Sequence, residues 1–250
     1  SQIDGVEGFK RVDPEVLAFR ALQLSEQGDE AGVENLLDYD RLIHEVQNNA
    51  PTGYNSLADF HAELTEHLLN LESLKESPDN HATRNGKHSG EILVEPKGPV
   101  AHVEAMMESA IRYYKLTHPI DADHPYLAHQ PDNWRLAAWT VIMRPQGHQI
   151  AHLHPEGWIS GVYYVELPPV VAENKDQAGW IEFGRPPTDI PLKNEVPTVR
   201  VQPQEGLMVL FPSYFYHQTI PYGSVNTLPL ANPLPERRIC IAFDVIPVWD

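Results

Sequence analysis

From Pro14 to about Asp40 the apolar residues Val16, Leu17, Phe19, Leu22 and Leu24 recur at helical spacing, Gly28 interrupts them, and Ala31–Leu37 resumes the pattern. This predicts a short helix pair. Leu42–Val46 predicts a short strand. A turn follows, and Ser56 stands where an N-cap is needed, ahead of an amphipathic helix on Leu57, Phe60, Leu64, Leu68 and Leu71. Lys75 to Lys97 is polar and reads as loop, whereas Val100–Thr117 carries Val103, Met106, Met107, Ala110, Ile111 and Tyr114 on a second helix. Pro119 to Pro131 reads as loop again.

The period changes at Trp134. From there "RLAAWTVIMRP", "WISGVYYVELP", "GWIEFGRP", "PTVRVQP", "EGLMVLFPS" and "RRICIAFDVIPVW" are short hydrophobic segments divided by proline and glycine, as in an all-β sandwich or barrel. Helices first and strands afterwards give an α+β arrangement with the helices packed on one sheet. No repeat of fixed period runs through the chain.

Composition narrows the chemistry. With 250 residues the chain can bury a substantial core. Its single cysteine, Cys240, excludes an internal disulfide framework and a cysteine zinc cluster, and fits a reducing cytosol. A metal, if held, must be held by histidine and carboxylate. A formal charge of −17 argues against nucleic acid or an anionic membrane as partner, and no apolar run reaches the length of a membrane span. The chain opens without methionine inside a helical pattern, which reads as a piece of a longer protein.

The stretch "HQIAHLHPEGWISGVYYV" concentrates the candidate chemistry. If it is extended, His148, Ile150, His152 and His154 share a face, and the last two sit at a strand end where side chains can converge on one ion. Such a pair with a distant third histidine is the layout of a facial metal triad, and His217 in "LFPSYFYHQTIP" is the candidate third ligand. In "RRICIAFDV", Arg238, Cys240 and Ala242 share a face on which the two small residues leave room for a ligand, and a guanidinium fork suits a carboxylate. Arg237 is the fallback on the opposite face. His148 reads as a structural residue, Cys240 as a small buried one, and the "TRNGKHSG" segment around Arg84 and Lys87 as solvated loop or as a lid.

The runs "HLHPEGWISGVYYVELP", "GWIEFGRP", "EGLMVLFPSYFYHQTIP" and "RRICIAFDV" together resemble the 2-oxoglutarate- and Fe(II)-dependent oxygenases related to prolyl hydroxylases, in particular a bacterial branch in which the oxygenase follows tetratricopeptide repeats. "NLLDYDRLIHEV", "YNSLADFHAELTEHL" and "ATRNGKHSGEIL" resemble that branch's helical lead-in. The resemblance implies a double-stranded β-helix, or cupin-like jelly roll, over 134–250, a helical lead-in over 39–133, and the tail of a repeat region in 1–38. It implies Fe(II), 2-oxoglutarate and O2 as cofactor and co-substrates, His152, His154 and His217 at the metal, and Arg238 on the far carboxylate of 2-oxoglutarate. Tyr164 or Ser160 is expected to hydrogen-bond the co-substrate, with Trp158, Tyr163, Tyr164 and Phe215 as walls.

One departure stands out. The common triad has Asp or Glu two residues after its first histidine, and this chain has His154 there. Either the centre has three histidines, or the frame shifts and His154 pairs with Glu156. The reaction implied is hydroxylation of a C–H bond in a protein, peptide or small-molecule substrate. The alternatives are a cupin-like three-histidine metalloenzyme that does not use 2-oxoglutarate, and a degenerate oxygenase that serves as an interaction module.

Overall fold

The computed structural model describes residues 13–76, 81–173, 176–223 and 237–248. Helix α1 (Pro14–Gln27) starts at Asp13, whose carboxylate accepts from the Glu15 N–H at 2.8 Å, and stops at Gly28, which reaches φ 70°. That left-handed conformation is cheap only for glycine. The pair is completed by α2 (Glu30–Leu36), and α3 (Tyr39–Leu42) follows as a single turn. Glu26 Oε1 accepts from the N–H groups of Lys193 and Asn194, which ties this helical segment to a loop of the β region.

Strand β1 (His44–Gln47) and helix α4 (Leu57–Leu69) follow, with Ser56 accepting from the Asp59 N–H at 3.1 Å. Next come β2 (Lys75–Glu76), β3 (Thr83–His88) and α5 (Val100–Thr117). The β region consists of β4 (Asn133–Gln149), β5 (Ile159–Glu166), a turn of helix α6 (Pro169–Ala172), β6 (Ile181–Phe183), β7 (Val199–Val201), β8 (Leu207–Pro212), β9 (His217–Thr219) and β10 (Arg238–Val248). Seven strands form one antiparallel sheet in the order β1-β8-β5-β10-β4-β3-β2, and three form a second in the order β7-β6-β9.

Expecting only loop between Lys75 and Lys97 was wrong, because β2 and β3 lie there. β3 pairs with β4 in antiparallel register, Thr83 opposite Gln149 and His88 opposite Val141, with a bulge after Arg84. The segment "TRNGKH" buries only Thr83 and Gly86. Near the sheet edge one face stays wet, so the strand lacks the apolar alternation by which strands are recognised. β4 also runs past Pro145 to Gln149, further than its apolar segment suggests.

Helices α4 and α5 cover one face of the large sheet. Val100, Val103, Met107, Ala110, Ile111 and Tyr114 form the buried stripe of α5, and Phe60, Leu64 and Leu68 that of α4. The larger aliphatic and phenyl side chains among these contribute roughly 1.5–3 kcal/mol each by leaving water. Strand alternation sorts β5 accordingly. Tyr163 turns to the helices, where its hydroxyl meets His61 Nε2 at 2.8 Å, while Ser160, Val162 and Tyr164 turn the other way. Gly161 lies opposite Phe243 of β10, where a Cβ would stand 2.2 Å from the ring. Its lack of a side chain lets the Phe243 ring lie across β5.

Candidate metal centre

The two sheets enclose a cavity lined by Trp139 and Gln149 of β4, Ser160, Gly161 and Val162 of β5, Ile181, Phe211, His217 and Thr219, and Arg238, Cys240 and Ala242 of β10, with His152 and His154 at its outer end. Backbone pairing fixes the three histidines. The His152 N–H donates to the His217 carbonyl at 3.1 Å and the His217 N–H to the His152 carbonyl at 2.9 Å, while the His154 N–H donates to the Ser213 carbonyl at 3.1 Å. One candidate ligand atom from each of His152, His154 and His217 lies within 4.8 Å of the others, close enough to share one ion. His148 is not among them; it stays in β4 opposite Arg84.

The ring tautomers follow from the partners. His152 Nδ1 faces the Ile150 carbonyl at 2.7 Å, His217 Nδ1 the Phe215 carbonyl at 3.0 Å, and His154 Nδ1 the Asp244 carboxylate at 2.9 Å. Each partner only accepts, so each Nδ1 carries the proton and each Nε2 keeps its lone pair for a metal. Burial holds His217 well below the ordinary imidazole range, reinforced by His152 and His154. Burial and then His154 push His152 down to about 4. Both rings are therefore neutral near pH 7, as ligands must be.

At the inner end of the cavity sits Arg238, 2% exposed. Among the described residues its Nε has no hydrogen-bond partner, and its Nη1 meets Met143 Sδ at 3.6 Å and Cys240 Sγ at 3.7 Å. Its guanidinium lies 5.0 Å from the Tyr164 ring, and the Tyr164 hydroxyl, buried beside it, has no hydrogen-bond partner of good geometry among the described residues. Burying a charge costs several kcal/mol unless a counter-ion meets it. A buried fork and a phenol, both short of an acceptor, fit a small dicarboxylate that reaches inward from the metal. Arg237, the fallback, instead grips Glu166 through two bonds of 2.8 and 3.1 Å on the other face.

Several expected residues make other contacts. The Ser160 hydroxyl is committed to Asp244 Oδ1 at 2.7 Å and to Ser213 Oγ at 2.8 Å rather than open to a co-substrate. Trp158, Tyr163 and Phe215 are not walls. Trp158 stacks on Tyr126, Tyr163 bonds His61, and Phe215 packs on Tyr39 and Tyr214. The alternation of β5 turns Tyr163 away from the cavity, and Trp158 and Phe215 precede or follow the strands that line it. Glu156 is exposed and is not part of the three-residue cluster. Trp139 and Asp244 were not anticipated. Extending the Arg238, Cys240, Ala242 alternation by two residues reaches Asp244.

The cavity opens to a mouth bordered by His81, His88, Trp139, Gln149, Leu153 and Glu156. Trp139 is stacked between His154, at 5.6 Å and 14°, and His88, at 5.8 Å and 18°. Burial pushes His88 down to about 4. The "TRNGKHSG" segment thus contributes to the mouth from a strand.

Residues 137–244 match a family model described as "Putative 2OG-Fe(II) oxygenase". Among solved structures, a prolyl-4-hydroxylase of Pseudomonas putida superposes with a TM-score of 0.55 at 13% identity, covering 84% of this chain and 95% of its own. A prolyl hydroxylase of Trichoplax adhaerens, in complex with a hypoxia inducible factor oxygen degradation domain peptide, gives 0.52 at 12% identity over 93% and 90%. HygX of Streptomyces hygroscopicus, with nickel, 2-oxoglutarate and hygromycin B, gives 0.50 at 12% identity over 86% and 87%. At such identities the likeness is one of fold, and it establishes the double-stranded β-helix. No curated protein sequence matches the chain. The matched stretch runs from Ala137 of β4 to Asp244 of β10 and takes in the whole histidine cluster and Arg238, so the similarity to 2-oxoglutarate- and Fe(II)-dependent oxygenases covers the residues of the candidate metal centre.

Proposed function

We propose that the chain hydroxylates a C–H bond of a peptide or small-molecule substrate, with His152, His154 and His217 holding Fe(II) and Arg238 holding the far carboxylate of 2-oxoglutarate. The observation that carries this reading is Arg238: a guanidinium 2% exposed, without a carboxylate partner among the described residues, facing the cavity that the three histidines close. A three-histidine centre that used no 2-oxoglutarate would have no use for that buried charge.

Iron, when bound, supplies the coupling of O2 activation and 2-oxoglutarate decarboxylation to oxidation of the substrate. The chain's own residues do the rest. The Nδ1–H bonds hold the three rings in place and leave their Nε2 atoms as the ones free to take a metal. Arg238 and the Tyr164 hydroxyl fix the inner end of the co-substrate, while Phe211, Ile181 and Val162 keep the cavity wall apolar and exclude water. Trp139 forms one wall of the mouth through which a substrate reaches the metal. The comparison structures hold a peptide in one case and hygromycin B in another, and both classes suit an open mouth. The α1–α2 pair is read as the end of a repeat region that presents a protein substrate. Residues 1–12 of that segment lie outside the described residues. Among the described residues no helix is long and apolar enough to cross a membrane, and the lone Cys240 favours a reducing, cytoplasmic setting.

The test is anaerobic reconstitution with Fe(II) and titration with 2-oxoglutarate, following the metal-to-ligand charge-transfer band. The band is expected in the wild type, absent in His217→Ala, and at much higher 2-oxoglutarate concentration in Arg238→Ala. Stoichiometric iron without any band would overturn the reading.

A further inference from the structure

Of the three clustered imidazoles, only His154 is backed by a carboxylate. His152 and His217 give their Nδ1 protons to the neutral carbonyls of Ile150 and Phe215. His154 Nδ1 lies 2.9 Å from Asp244 Oδ2 and 2.8 Å from Oδ1. His154 is also the residue that stands where the common triad has its acidic ligand.

We infer that Asp244 is a positioning residue that supplies, from behind His154, the negative charge and the aim that the usual triad takes from a carboxylate ligand. This rests on the reading that His154 is a ligand. The alternation of β10 sets Asp244 on the same face as Arg238, Cys240 and Ala242, and the register places it opposite Ser160. Its Oδ1 accepts from the Ser160 hydroxyl at 2.7 Å, and Ser160 meets Ser213 Oγ at 2.8 Å. The Ser213 carbonyl in turn accepts the His154 N–H. Ser213 thereby fixes both the ligand's backbone and, through Ser160, the carboxylate behind its ring. Gly157 leaves room for this circuit, since a Cβ there would stand 2.4 Å from Ser213 Oγ.

The charge balance points the same way. Asp244 is 8% exposed, and among the described residues its ion-pair partner is His154 rather than a lysine or arginine. A buried carboxylate whose ion-pair partner among the described residues is an imidazole has no permanent counter-charge there. A divalent cation on the far side of that ring supplies the missing positive charge, and the carboxylate in turn makes the imidazole a stronger donor. The net charge of a two-histidine, one-carboxylate set is preserved, one imidazole further from the metal.

The experiment titrates the whole metal-free chain with Ni(II) by calorimetry and records the charge-transfer band of the Fe(II) and 2-oxoglutarate complex, for wild type, Asp244→Asn, Ser160→Ala and His154→Ala. Asparagine keeps an acceptor for His154 and removes the charge. Asp244→Asn is expected to weaken Ni(II) binding about 10- to 100-fold and to move the band to shorter wavelength, because the iron becomes harder to oxidise. A purely structural role would not shift the band. Ser160→Ala, which keeps the carboxylate, should cost about fivefold and carries the test if Asp244→Asn does not fold. Wild-type affinity and an unmoved band in these variants would overturn the inference, provided His154→Ala loses the metal. If His154→Ala also binds as wild type, the ligand reading fails first and takes the inference with it.

Discussion

His152 and His217 are joined backbone to backbone by two hydrogen bonds of 3.1 and 2.9 Å, which bring their rings to 4.3 Å between centroids. Residues far apart in the chain are thus registered by the same pairing that builds a sheet, and the site inherits the rigidity of the barrel. A ligand that binds only this folded arrangement must stabilise it. Ni(II) at a hundred times its dissociation constant is expected to raise the unfolding free energy of the wild type by about 2.7 kcal/mol. Thermal unfolding with and without the metal checks this. His217→Ala should show no such rise, and a chelator should reverse it in the wild type.

Arg238 predicts a trade of stability against binding. Its guanidinium is buried with Nε unpartnered, so an apolar side chain of similar length relieves a desolvation cost. Arg238→Met is expected to raise the unfolding free energy by about 1–3 kcal/mol while abolishing the stabilisation that 2-oxoglutarate gives the metal-loaded wild type. Denaturant unfolding with and without the co-substrate measures both effects. A destabilised variant that still responds to 2-oxoglutarate would contradict both.

Tyr164→Phe isolates the second unpartnered group. Its hydroxyl has no well-formed hydrogen bond among the described residues, so metal-free stability should change by less than about 1 kcal/mol. Loss of a hydrogen bond to 2-oxoglutarate should weaken co-substrate affinity about fivefold, read from the charge-transfer titration.

His61 gives the pH dependence of the fold. Burial pushes this imidazole down to about 4, against 6.5 for an exposed ring. Between those values the unfolded chain takes up a proton that the folded chain refuses, so stability rises with pH across the window. The contribution is complete above 6.5 and is lost as pH falls toward 4. His61→Gln, which can keep a bond to Tyr163, should flatten the stability curve there by at most about 1.4 kcal/mol per pH unit. Chemical denaturation at several pH values tests it.

Leu64 separates support from chemistry. It is 0% exposed on α4, which packs on the helix-facing side of β5. Leu64→Ala should cost about 2–5 kcal/mol of stability and leave Ni(II) affinity within about twofold, because the even-numbered residues of β5 that face the cavity keep their register. Calorimetric titration below the unfolding midpoint provides the comparison.

The chain's local patterns determined its elements and much of its candidate chemistry. Apolar spacing located α4 and α5 because a helix face buried against a sheet must repeat every three to four residues, and Ser56 marked the start of α4 and Gly28 the end of α1 through capping chemistry that involves only neighbours. Period-two reading of "RRICIAFDV" separated Arg238 from Arg237 for the same reason: alternation is a property of the strand alone. The strand β3 escaped because its pattern is set by the partner β4 and by solvent on its open face. Tertiary structure alone decided that Ser160 serves Asp244, that Trp139 walls the mouth, and that Glu156 stays outside the cluster while His154 enters it. Those outcomes depend on which strands become neighbours and in what register. A one-dimensional pattern records which way a side chain faces, but which residues meet it there is settled only when the sheets close on each other.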